Sequence, residues 1–260
     1  MSIERLRRIM VALRDPEHGC PWDREQTWAS IAPHTLEEAF ELADAVEQGD
    51  AAKVRDELGD LLFQVVFQAR IAEEQGLFGF DEVAAAISDK LERRHPHVFG
   101  AATVVRTAAE QTVAWEAHKA AEREAAGLGR GVLDGVTLGL PALTRAAKLG
   151  KRAAGAGFDW TSAADVVDKL DEEIDELRRA LANRDEAQAS EELGDLLFTI
   201  AQLGRHLGAD AEASLRAANA KFERRFRHIE AALAARGRTP QQASMADLET
   251  LWAQAKQEIG

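Results

Sequence analysis

Glu38 and Glu41, followed by Glu57 and Asp60, place two carboxylates three residues apart twice in short succession. The same set returns at Glu173, Glu176, Glu192 and Asp195, each member 135 positions further on, with Glu172 matching Glu37. Side chains three apart are neighbours on one helix surface. If two such helices pack together, four carboxylates meet. At ~4 Å and an effective dielectric near 20, each like-charged pair costs roughly 4 kcal/mol. Protons, basic side chains or a metal must offset that repulsion, and repetition of the whole set at fixed spacing points to a metal. Oxygen-only ligation suits Mg²⁺ or Mn²⁺, whereas zinc favours His and Cys. Two other classes remain: a helical interaction protein with solvated acidic faces, and a di-iron carboxylate bundle. The latter needs two Glu-x-x-His pairs. Glu92 and His95 supply one, but Phe226 follows Glu223 where the second imidazole would stand.

Mg²⁺ held by few protein ligands usually engages a phosphate. Lys221, Arg224 and Arg225 share one helix face, as do Lys90, Arg93 and Arg94, and either group suits a phosphate clamp. No Gly-Lys-Ser/Thr of a Walker A loop occurs. The net charge of −13, from 45 acidic against 32 basic residues, argues against nucleic acid or an anionic membrane as partner. The lone Cys20 forms no internal disulfide framework and fits a reducing compartment. The N-terminal residues lack the pattern of a signal peptide, and no apolar run is long enough to span a bilayer. A cytoplasmic protein is expected.

Apolar residues at 58, 61, 62, 65, 66 and 69 form a helical stripe, repeated from Leu193 through Leu196, Leu197 and Ile200. With Phe63 and Phe67 on the other side, this helix should be buried nearly all round. Thr35 with Glu38 suits a capping box, Thr161 or Ser162 a second helix start, and Gly49-Asp50 a turn between antiparallel helices. KLERR (Lys90 to Arg94) matches KFERR (Lys221 to Arg225), and Trp115 with Lys119 matches Trp252 with Lys256. Trp22, Trp115, Trp160 and Trp252 are expected in the core, and His95 and His97 at a helix end. No strand alternation is visible. The expectation is all-α: two tandem related helical bundles, 1–130 and 131–260, separated by the glycine-rich GLGRGVLDGVTLGLP.

EEAFE then ELGD in one half, and EEIDE then ELGD in the other, resemble the EExxE…ExxD pattern of the MazG-type all-α nucleoside triphosphate pyrophosphohydrolases. GCPWDREQT, HTLEEAFELADA, SDKLERRHPHVF, GFDW and KFERR extend the similarity over essentially the whole chain. The resemblance implies Mg²⁺-dependent hydrolysis of ribo- and deoxyribonucleoside triphosphates to monophosphate and pyrophosphate, a homodimer with intertwined helices, and a housekeeping or stress-related nucleotide role. It maps metal ligation onto Glu173, Glu176, Glu192 and Asp195, with Glu172 alongside as a candidate base. Nucleotide contacts map onto Lys169, Lys221, Arg224, Arg225 and Trp252. Glu38, Glu41, Glu57 and Asp60 form the matching first-half site, expected to be scaffold, regulatory or weakly active, because His34 and Asp44 stand where the second half has Lys169 and Arg179.

Overall fold

The structure is a computed structural model that describes residues 2–100, 107 and 131–259. It forms two compact units, Met1–His118 and Lys119–Gly260. The expected boundary near residue 130, Trp115 and Lys119 lie outside the described residues. Among the described residues every regular element is helical, as the periodicity predicts.

The first unit contains α1 (Ser2–Leu13), α2 (Pro21–Glu25), α3 (Trp28–Gln48), α4 (Ala51–Glu74), α5 (Phe80–Arg94) and the short α6 (Pro96–Phe99). α3 and α4 pack together as an antiparallel hairpin. Gly49 closes α3 in the left-handed region (φ 69°), and Asp50 caps α4 by accepting from the amides of Ala52 and Lys53. α3 begins at Trp28, seven residues before the expected Thr35. Thr27 and Ser30 form the capping box, and the helix runs on through Pro33. Thr35 instead cross-braces the hairpin: its hydroxyl donates to the Ile31 carbonyl and accepts from Gln68 Nε2 at 2.8 Å. Met10, Ile31, Val66, Phe67 and Ile71 are the core, each large buried side chain contributing about 1.5–3 kcal/mol.

The second unit contains α7 (Ala142–Gly155), α8 (Ala163–Asn183), α9 (Glu186–His206), α10 (Ala211–Ala234), a 3-10 turn (Pro240–Gln242) and α11 (Met245–Glu258). Ser162 caps α8 through reciprocal bonds with Asp165, as expected. α8 and α9 repeat the hairpin of the first unit. At its turn Arg184 occupies the left-handed position of Gly49 (φ 57°) and Asp185 the capping position of Asp50. α7 packs on α9 through small residues. Gln202, fully buried, donates to the Ala146 carbonyl at 2.8 Å, and Gly150 leaves room for it because a Cβ there would run into the Gln202 amide. Ile229, Leu233 and Leu251 form a core between α10 and α11, with Phe226 and Trp252 packed against it.

The carboxylate-bearing helices are not buried all round. Val66 and Phe67 enter the core, but Leu58, Leu62 and Val65 are exposed. Their counterparts 135 positions on, Leu193, Leu197 and Ile200, are exposed as well. Each triplet follows the i, i+4, i+7 spacing of one helix face. Trp22, half exposed and edge-on to His34, is likewise outside the core. Among the described residues no helix is long and apolar enough to cross a membrane.

Candidate active site

α8 and α9 run antiparallel, so Glu173 on one faces Glu192 and Asp195 on the other. Carboxylate oxygens of these three lie within 4.8 Å of one another. Glu173 and Glu192 are buried and Asp195 is exposed, so the cluster opens to solvent on one side. Burial raises the Glu192 pKa first, and the charges of Glu176, Glu173 and Asp195 raise it further against a weak opposing bond from Gln188. Lys169, one turn before Glu173, places Nζ 2.8 Å from both Glu172 and Glu173. These two hydrogen bonds hold the Lys169 ammonium well above the ordinary lysine range. Glu176 points its carboxylate toward Arg179, at 3.6 Å, and stays outside the three-oxygen group.

In the first unit Glu38, Glu41 and Glu57 converge in the same way. Asp60 stands outside that group, although its charge, after burial, is the largest influence raising the Glu38 pKa. Burial and the charges of Glu41 and Asp60 also raise Glu57. His34, in place of Lys169, lies 3.5 Å from Glu37. Neither group contains a histidine. His95 ends α5, and its Nδ1 is 2.7 Å from the Leu91 carbonyl, so the one Glu-x-x-His pair is occupied with helix termination. Oxygen-only donors at this spacing fit a hard divalent cation.

Lys221, Arg224 and Arg225 lie on α10. Among the described residues no hydrogen bond or ion pair joins them to the carboxylates. Arg225 stacks over Trp252 at 5.7 Å, with a buried Nε lacking a hydrogen-bond partner. Phe222, absent from the sequence-derived set, is exposed and completes an aromatic cluster, 5.3 Å from Trp252 and 6.1 Å from Phe226. Its signal was its place inside KFERR, three residues before Arg225. A further network also escaped the sequence reading. Asp159 of GFDW binds Arg205 through both carboxylate oxygens and lies 3.1 Å from His206 Nε2. Arg205 also reaches Gln202, so the loop before α8 is locked to the end of α9.

Two tandem helical units, each built on a hairpin that gathers carboxylates from facing turns, define an all-α protein with duplicated acidic sites. The chain belongs to the MazG nucleotide pyrophosphohydrolase family and is an enzyme: the model of the MazG nucleotide pyrophosphohydrolase domain matches residues 26–99 and 161–230, one copy on each hairpin. A nucleoside triphosphate pyrophosphohydrolase of Escherichia coli K12 is 52% identical over 99% of this chain and 98% of its own length. A nucleoside triphosphate pyrophosphohydrolase/pyrophosphatase MazG of Thermotoga maritima is 38% identical over 97% of this chain and 95% of its own. A crystal structure of a mazG-related protein from Thermotoga maritima aligns with a TM-score of 0.38 at 24% identity, covering 45% of this chain and 98% of that one.

Proposed function

We propose that this chain, a nucleotide pyrophosphohydrolase by family, hydrolyses ribo- and deoxyribonucleoside triphosphates to monophosphate and pyrophosphate with Mg²⁺ or Mn²⁺, chiefly in the half 131–260. The observation that carries this is the convergence of Glu173, Glu192 and Asp195 within 4.8 Å beside Lys169. The names of the Escherichia coli and Thermotoga maritima relatives support the reaction type.

Glu173, Glu192 and Asp195, joined by Glu176, would hold the cation. When bound it supplies Lewis-acid polarisation of the phosphate oxygens and eases deprotonation of water. Glu172, outside the three-oxygen group and oriented by Lys169, accepts the proton of the attacking water. The water oxygen bonds to the α-phosphorus, the bridging α–β P–O bond breaks, and pyrophosphate leaves. Lys169, Lys221, Arg224 and Arg225 offset charge on the transferring and leaving groups, and Trp252 packs against the nucleoside. The first-half set, Glu38, Glu41, Glu57 and Asp60, lacks the paired lysine and acts as scaffold or regulatory site. The working form is a cytoplasmic homodimer engaged in nucleotide-pool housekeeping or stress-linked nucleotide control, with no nucleic-acid or membrane partner.

Incubation with a panel of nucleoside triphosphates and Mg²⁺ tests the proposal by product identity. Monophosphate with pyrophosphate is expected. Diphosphate with orthophosphate would refute attack at the α-phosphorus.

A further inference from the structure

The two acidic clusters match at Glu38 with Glu173 and at Glu57 with Glu192, but they differ in their third member. In the first unit it is Glu41; in the second, Asp195. Glu176, the counterpart of Glu41, lies 3.6 Å from Arg179 while its charge still acts on Glu192. The residue three places after Glu41 is Asp44, an anion that offers Glu41 no attraction. The two clusters therefore differ both in their third carboxylate and in the residue three places after Glu176 or Glu41.

We propose that Arg179 is a displaceable counterion of Glu176: a bound cation takes Glu176 from it, and the freed guanidinium turns to the triphosphate. This rests on the second-half cluster being the catalytic metal site. Three features carry it. The Arg179 side chain is 68% exposed, and besides Glu176 its one hydrogen bond among the described residues runs from Nε to the Asp175 carbonyl at 3.2 Å, so its end can swing within one turn of the cluster. An exposed ion pair is weak and readily lost to a divalent cation that already has three carboxylates. Once released, the planar fork of donors matches phosphate oxygens better than it matches solvent. Arg179 is a positioning residue for Glu176 and a binding residue for substrate, so metal and nucleotide occupancy reinforce each other.

The test uses the full chain carrying Glu41→Gln and Glu57→Gln, which silences the first cluster, and compares Arg179 with Arg179→Gln and Arg179→Lys. Mn²⁺ alone is titrated by electron paramagnetic resonance, and steady-state kinetics are measured with ATP. Arg179→Gln should bind Mn²⁺ about three-fold more tightly, the scale of an exposed ion pair. It should also raise KM for ATP about ten-fold with kcat within about two-fold, because the lost contact serves ground and transition states alike. Arg179→Lys should fall between on both measures. Unchanged or weaker Mn²⁺ binding overturns the proposal while leaving the metal site standing. Tighter Mn²⁺ binding with unchanged KM also overturns it, reducing Arg179 to a bystander cation. A parent chain that binds no Mn²⁺ overturns the metal site and this proposal together.

Discussion

Lys169 lies 2.8 Å from Glu173, a pair whose carboxylate side chain is only 6% exposed, while at the matching place His34 contacts Glu37 and leaves Glu38 to its acidic neighbours. A built-in ammonium offsets repulsion in the second cluster and faces any polyanion that enters. Among the described residues no ammonium is paired with Glu38; Lys53 acts on Glu57 but is bonded to Gln48, so the first cluster should receive a triphosphate less readily. Glu173→Ala should accordingly lower kcat/KM for ATP by about 100-fold or more, and Glu38→Ala by less than about three-fold. Steady-state assays of the two full-length variants decide this, and the reverse order would move catalysis to the first half.

Removal of metal should abolish turnover. Excess EDTA is expected to stop pyrophosphate release, Mg²⁺ or Mn²⁺ to restore it, and Zn²⁺ to restore little. In metal-free protein, Asp195→Asn removes one of the crowded charges and should leave Tm unchanged or raise it by about 2 °C, while turnover with Mg²⁺ falls to background. Full activity in EDTA would contradict the site.

Leu193, Leu197 and Ile200 repeat the exposed stripe of Leu58, Leu62 and Val65. Apolar rows of this kind on both hairpins call for a partner surface, and in the proposed homodimer a second copy of the chain would supply one through a closed two-fold contact. Light scattering at micromolar concentration should give twice the 28.4 kDa chain mass. Leu197→Asp should shift the population toward monomer and lower Tm. A monomeric wild type would refute the dimer.

Asp159 is held far below its ordinary pKa of 3.8, chiefly by its hydrogen bonds from Arg205, with a further bond from His206 opposing the effect of burial. A depressed carboxylate pKa contributes stability that is fully present above the unfolded value and is lost as pH falls through the folded one. Asp159→Asn should therefore cost about 2 kcal/mol at neutral pH, and the gap to wild type should narrow progressively below about pH 4. Urea unfolding at a series of pH values measures this. A gap that widens on acidification would show that Asp159 is not the stabilising ion.

The all-α class, the duplication and the gathering of carboxylates were legible from residue identity alone. Helical periodicity survives any packing, and an offset of 135 positions shared by Glu38, Glu41, Glu57 and Asp60 needs no coordinates to be seen. The Gly49-Asp50 turn and a helix start at Thr161 or Ser162 were similarly readable, because turns and caps are local exchanges between a side chain and amides two or three residues away; Ser162 is the cap. Thr35 misled for the complementary reason. Its local pattern satisfies a capping box, but packing of the first turn of α3, with Ile31 in the core and Trp28 donating to the Gln68 carbonyl, carries the helix back through Pro33.

Tertiary structure alone decided which side of each apolar helix is covered, since a stripe on one helix does not reveal what lies opposite. It brought Asp159 to Arg205, residues 46 apart in sequence, and it opened a space at Gly150 for Gln202. It also selected three converging oxygens from each set of four carboxylates. Spacing places side chains on a face, but the direction of a flexible carboxylate depends on the nearest opposite charge, and for Glu176 that charge belongs to Arg179.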